Sequence, residues 1–148
     1  MRLTKKELNG LEKNSVVNMA CLETTFLIDL LKGKTEAESV KDELEKIEPI
    51  LFIPAPALME LWSGANAGNV PDKEKEKIQN LINSLVILPL DEKSAKEAGD
   101  IEAELIKKGL PVETEDIMIA GICRANGEKL VTRDAHYARI SGLKLLKY

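Results

Sequence analysis

The chain has 148 residues, 44% hydrophobic, 31% charged and 3% aromatic, which suits one domain with one core and argues against wholesale disorder. Its 21 Lys and Arg against 25 Asp and Glu leave a net charge of −4, and its aromatics are Phe26, Phe52, Trp62, Tyr137 and Tyr148. That balance excludes a broadly basic nucleic-acid binder and a base-stacking platform. The longest apolar run, Pro49 to Met59, is far shorter than the ~20 residues of a membrane-spanning helix and carries three prolines. The start, Met1-Arg2-Leu3-Thr4-Lys5-Lys6-Glu7, has no apolar export core. Cys21 and Cys123 lack a CxxC spacing and sit in apolar stretches, so they read as reduced, buried thiols of a cytoplasmic protein. One histidine, His136, does not found a zinc site alone.

In chain order, residues 1–18 are polar and lysine-rich at first and read as an N-terminal extension to a domain over 19–148. Val16 to Leu22 reads as a short buried strand. Phe26 to Gly33 follows as a mostly buried helix, with Thr24 or Thr25 as N-cap and Gly33 past its end. Thr35 to Glu48 carries an apolar stripe at Ala37, Val40, Leu44 and Ile47 and predicts a second helix. Ile50 to Ile53 is a strand stopped by Pro54. Ala55 to Ala67 is a helix with Ala57, Leu58, Leu61, Trp62 and Ala65 on one face. Pro71 to Leu85 is another, with proline in its first turn. Val86 to Leu90 is a strand, Asp91 to Lys108 a charged helix ending at Gly109, and Glu115 to Ala125 a helix capped by Thr114. Lys129 to Thr132 is a strand, Asp134 to Ile140 a helical turn, and Leu143 to Leu146 the last strand. Strands alternate with helices and no hairpin signal joins two strands, which predicts an α/β fold with a mostly parallel sheet of about five strands.

Four acids stand out by position. Glu23 follows the first strand and Asp134 the fourth, and ligands of open parallel sheets bind beyond the carboxyl ends of strands. Asp116 lies in the first turn of its helix, and Glu60 lies mid-helix beside two small residues, Ala57 and Gly64. Each also has a structural reading. Asp116 suits a helix dipole, Asp134 and Glu23 suit caps, and Glu60 suits a solvated face. Trp62 reads as core or dimer interface, and Glu113 and Glu115 as solvated first-turn acids. Asp29 and Lys32 form the polar edge of a buried helix. Together, however, clustered carboxylates repel one another and suit a hard divalent cation such as Mg²⁺ or Mn²⁺. Such an ion activates water and screens charge on a phosphoryl oxygen, chemistry that needs no catalytic histidine.

These residues also carry a resemblance. Cys21-Leu22-Glu23-Thr24-Thr25-Phe26-Leu27-Ile28-Asp29-Leu30-Leu31-Lys32-Gly33 resembles the opening of a PIN-domain ribonuclease of the VapC toxin type. Glu60-Leu61-Trp62-Ser63-Gly64-Ala65, Asp116-Ile117-Met118-Ile119-Ala120-Gly121-Ile122 and Val131-Thr132-Arg133-Asp134 resemble its second, third and fourth motifs, in order, so that the likeness spans Met19 to Tyr148. The resemblance implies a PIN-like three-layer α/β/α fold and a Mg²⁺- or Mn²⁺-dependent endoribonuclease. It implies a homodimer and a small antitoxin whose tail plugs the acidic site. It carries the catalytic and metal-holding roles to Glu23, Glu60, Asp116 and Asp134, with Thr25, Thr132 and Arg133 in support, Arg133 as a candidate phosphate contact or a plain surface residue. One departure is Glu23, where the family has Asp. Its extra methylene, roughly 1.5 Å, bears on rate and metal preference.

The expected reaction is hydrolysis of RNA phosphodiesters by water, leaving 5′-phosphate and 3′-hydroxyl ends. Glu23, Asp116 and Asp134 hold the principal ion, and Glu60 serves a second ion or the attacking water. Glu23 also motivates an alternative, a weak or inactive binding module on the same fold. A phosphoacceptor receiver domain is a third class, with Asp91 as acceptor, but the lysine it needs after a last strand has no counterpart except Lys147.

Overall fold

The computed structural model describes residues 19–47 and 50–148; the expected extension, residues 1–18, and the first part of the strand predicted from Val16 lie outside these. The first strand, β1, is Ala20–Leu22, and none of its three side chains retains solvent contact. Next to it, β2 (Leu51–Pro54) is also wholly buried. Continuous apolar runs of this kind, rather than alternation, mark strands covered on both faces. With β3 (Val86–Leu88), β4 (Lys129–Val131) and β5 (Leu145–Leu146) they form a sheet of order β3-β2-β1-β4-β5, and every pairing is parallel. The chain builds outward from β1 to β2 and β3, then returns to place β4 on the other side of β1. The order therefore reverses between β1 and β4, and the crevice beyond their carboxyl ends is where such sheets bind ligands.

Helices α1 (Thr24–Leu31), α2 (Thr35–Ile47), α3 (Ala55–Ala67), α4 (Pro71–Ile82), α5 (Glu92–Lys108) and α6 (Thr114–Ala125) complete a three-layer α/β/α arrangement, with a 3₁₀ turn at Ala135–Arg139. The strand–helix alternation agrees with the sequence reading; the ends shift. Helix α1 is capped by Glu23, not by Thr24 or Thr25. Helix α4 stops at Ile82, three residues before the predicted Leu85, where the Ser84 hydroxyl donates to Leu81 O and closes the turn. Strand β3 stops at Leu88 and lies at the sheet edge. Asp91 forms a capping box with Ser94, whose amide donates to Asp91 Oδ1 at 2.9 Å, so the carboxylate serves α5 and follows no central strand. The receiver-domain reading fails on that placement.

Helix α6 lies close against α5. A Cβ at Gly121 would come within 2.7 Å of Ala98 Cβ and 2.8 Å of Ala98 N, so only glycine allows this approach, which seats the start of α6 and Asp116. Among the described residues no helix is long and apolar enough to cross a membrane. Cys21 and Cys123 are buried and form no disulfide.

Candidate metal and phosphodiester site

Glu23 directly follows β1 and its backbone N–H donates to Val131 O at 3.2 Å, which ties it to β4 at the switch point. It is 2% exposed. Its Oε2 accepts from Thr25 N at 3.0 Å, from Thr132 Oγ1 at 2.8 Å and from Thr25 Oγ1. All three bonds fall on one oxygen. Among the described residues Oε1 receives none, although a buried carboxylate oxygen ordinarily finds a donor. Burial pushes the Glu23 carboxyl above its usual range; the bonds from Thr25 and Thr132 oppose this, and the charge of Asp116 adds to it.

Thr132 is the hinge on the β4 side. It is fully buried, donates to Glu23 and accepts from Asp134 N at 3.0 Å. Asp134 in turn caps the 3₁₀ turn, accepting from His136 N at 2.9 Å, and its Oδ1 lies 2.9 Å from His136 Nδ1. Asp116, in the first turn of α6, accepts from the buried Tyr137 hydroxyl at 3.1 Å. Its carboxyl is raised, first by burial and then by Asp134 and Glu113, while Tyr137 and His136 act in the other direction. The same environment raises the Tyr137 phenol, by burial first and then by the charges of Glu23 and Asp116, so it remains a hydrogen-bond donor.

Glu60 projects from the middle of α3 and accepts from Thr24 Oγ1 at 3.2 Å. Its carboxyl is raised by burial, then by Asp116, Glu23 and Glu115. The small neighbours single out a gap only in part. A Cβ on Gly64 meets nothing within 4 Å, and a slot of about 190 Å³ there is lined by Glu60, Leu61, Gly64, Ala65, Ile28 and Glu74 among others. Ala57, by contrast, is fully buried in the core.

Asp116 is thus coupled by charge to Glu23, Glu60 and Asp134, and Glu60 also to Glu23. Among the described residues, no three of them form a closed ligand set. Among the described residues no lysine or arginine forms an ion pair with Glu23, Glu60 or Asp116, and hydroxyl and amide donors are what answer these carboxylates. Glu23 is buried with one oxygen unpartnered, while Glu60, Asp116 and Asp134 are half-buried; carboxylate oxygens of this kind are the donors a hard divalent cation takes.

Arg133 is placed differently from the acids. Its Nε donates to Asp29 Oδ2 at 2.8 Å, which turns the guanidinium toward α1. Sequence reading also underweighted Tyr137 and Thr24 as partners of Asp116 and Glu60; the Asp134-Ala135-His136-Tyr137 run was the available signal for the first. Trp62 is 37% exposed beside the more exposed Met59, so it is not core.

Comparison with known proteins agrees with the geometry. Residues 20–143 match the PIN domain, and the chain belongs to that family. A tRNA(fMet)-specific endonuclease VapC from Shigella flexneri is 32% identical over 124 residues, 83% of this chain and 92% of that protein. The protein of the same name from Salmonella typhimurium is 31% identical over 125 residues, 84% and 93% of the two chains. These relatives put it among the VapC endonucleases. DNA-bound VapBC from Salmonella typhimurium superposes with a TM-score of 0.80 at 30% identity, over 89% of this chain and 98% of that one. VapBC2 from Rickettsia felis, bound to a DNA fragment from their promoter, gives 0.83 at 23% identity over 88% and 98%, a likeness of fold.

Proposed function

We propose that the protein is a cytoplasmic endoribonuclease toxin that hydrolyses tRNA with Mg²⁺ or Mn²⁺ and is neutralised by a small antitoxin. The observation that carries the metal site is Glu23: buried, one oxygen unpartnered, facing Asp116 at the switch point of the sheet. Two relatives above 30% identity are tRNA(fMet)-specific endonucleases, which supports tRNA as the substrate class.

Glu23, Asp116 and Asp134 are the residues to hold the principal ion, and Glu60 a second ion or the attacking water. When bound, the divalent ion supplies an activated water and screens charge on the phosphoryl oxygens. The protein's part is orientation. Thr25 and Thr132 fix Glu23, Tyr137 fixes Asp116, and His136 fixes Asp134. Attack by water rather than by the ribose hydroxyl leaves 5′-phosphate and 3′-hydroxyl ends.

The slot beside Glu60 and Glu74, walled by Ile28, Leu61 and Ala65, suits an antitoxin tail that pairs an apolar side chain with a basic one. On the other side of α3, Leu58, Met59, Trp62 and Ile82 line a groove of about 600 Å³, which supports a homodimer through that face. The test is purified protein on tRNA with Mn²⁺, Mg²⁺ or EDTA. Cleavage that needs the metal and is lost in Asp116→Asn is expected; cleavage that survives both EDTA and that substitution would overturn the reading.

One observation favours a second reading, an inactive binding module: the longer Glu23 folds back onto Thr25 and Thr132 to cap α1. Glu23→Asp separates the two. A large gain in cleavage marks a site crippled by glutamate, whereas strong activity unchanged by the substitution rejects the module.

A further inference from the structure

Asp29 is a charged side chain almost without solvent contact, and none of the chemistry above uses it. It lies on α1, the helix that Glu23 caps. Its carboxylate receives Arg133 Nε at 2.8 Å on Oδ2 and Arg133 Nη2 at 3.4 Å on Oδ1. Tyr148 OH donates to Oδ2 at 2.7 Å, and Lys34 Nζ lies 3.2 Å from Oδ1. The Tyr148 ring also stands edge-on to Phe26, with centroids 4.9 Å apart.

Arg133 sits between Thr132, which donates to Glu23, and Asp134, a site acid. The tripeptide Thr132-Arg133-Asp134 is therefore fastened to α1 at two points. Glu23 holds it through Thr132, and Asp29 holds it through the planar fork of Arg133. Without the Arg133 fork, Asp134 would be held to the α1 side through Thr132 alone and otherwise only through the 3₁₀ turn that Tyr137 ties to Asp116, which leaves it more freedom relative to Glu23. Two attachments on one rigid helix remove that freedom, and a two-oxygen contact with a guanidinium fixes direction as well as distance.

We propose that Asp29 is a positioning residue: through Arg133 it sets the placement of Asp134 against Glu23, and so the site's affinity for a divalent ion. Arg133 thereby acts on the site through the backbone of its turn rather than by touching phosphate. Tyr148 and Lys34 complete the solvation of Asp29 and serve stability. The role rests on the metal-site reading above.

The test is Mn²⁺ binding followed by electron paramagnetic resonance, at a temperature where circular dichroism shows every variant folded. Wild type, Asp116→Asn, Asp29→Asn, Arg133→Gln and Tyr148→Phe are compared. Arg133 is half exposed, so Arg133→Gln keeps the test valid if Asp29→Asn does not fold. Asp29→Asn and Arg133→Gln are expected to weaken Mn²⁺ binding roughly tenfold, the scale for residues that orient ligands, while Tyr148→Phe lowers the melting temperature and leaves affinity unchanged. Wild-type affinity in Arg133→Gln, with binding lost in Asp116→Asn, overturns the positioning role alone. Equal weakening by Tyr148→Phe and Arg133→Gln also overturns it, because general loosening would then suffice. No binding by wild type overturns the metal-site reading and this role with it.

Discussion

Glu23 and Asp29 bracket one short helix, both carboxylates are nearly inaccessible to water, and their surroundings differ in sign. Around Asp29 the protein supplies Tyr148, Arg133 and Lys34. Burial alone would raise this carboxyl, but those donors outweigh it and hold its pKa at about 2. Around Glu23 the protein supplies threonine hydroxyls and an amide on one oxygen, and the next charges are the acids Asp116 and Glu60. There burial wins and the carboxyls of Glu23, Glu60 and Asp116 rise. A buried charge must be matched, and the two regions show the choice between matching it from within the chain and leaving the match to a ligand. The Asp29 cluster is complete as folded; on the proposed function, the acid rim is completed by a cation from outside.

The contrast breaks most sharply at the reaction. Asp116→Asn is expected to cut metal-dependent tRNA cleavage by on the order of 100-fold or more, read from initial rates, since it removes a charge where phosphoryl charge develops. Stability then separates the two regions with opposite signs. Asp29→Ala removes the shared acceptor of Arg133, Tyr148 and Lys34 and leaves a gap beside Phe26 and Tyr148, and is expected to cost about 1–3 kcal/mol, a fall in melting temperature of several degrees. Asp116→Asn relieves repulsion and is expected to stabilise the metal-free protein by about 0.5–2 kcal/mol at neutral pH, the usual gain when a functional site is relaxed. Gly121→Ala, which forces a Cβ onto Ala98, is expected to cost about 1–3 kcal/mol without altering the acids themselves. The smallest effect is in acid. Because the folded-state value of Asp29 is depressed, its stabilisation is full above about pH 3.8 and drains away as the pH falls toward about 2, so the denaturation midpoints of wild type and Asp29→Asn should converge over that range.

Much of this was legible in the sequence, for stateable reasons. Short apolar runs such as Ala20–Leu22 and Leu51–Ile53, alternating with capped helices, suffice for a parallel sheet because only strands covered on both faces are so uniformly apolar. Position after a strand placed Glu23 and Asp134 on either side of Thr132, whose hydroxyl donates to the first and accepts from the amide of the second, and Gly64 correctly marked open space near Glu60. What failed to show was anything set by long-range side-chain choice. Arg133 sits next to an acid in the chain, but its guanidinium chooses Asp29 on another element, more than a hundred residues away in sequence. Lys34, rather than Lys32 at the helix C-cap, reaches that same carboxylate. Glu23 caps α1 because its side chain is long enough to turn back onto Thr25, a local geometry that competes with the Thr24 and Thr25 caps suggested by propensity.

The most direct test of the rim as a cation site is the melting temperature of the wild-type protein with and without Mn²⁺ as a function of pH. Because Glu23, Glu60 and Asp116 are raised, their ionisation costs stability as the pH climbs through their range, and a bound cation recovers it only where they are charged. At about pH 7 and an ion concentration near 100 times its dissociation constant, a rise of about 5–10 °C is expected. Toward about pH 4, where Asp29 stays ionised while the raised carboxyls of Glu23 and Glu60 take up protons, the rise should shrink sharply. No rise at neutral pH, or an equal rise at both, would contradict a metal site on the acid rim.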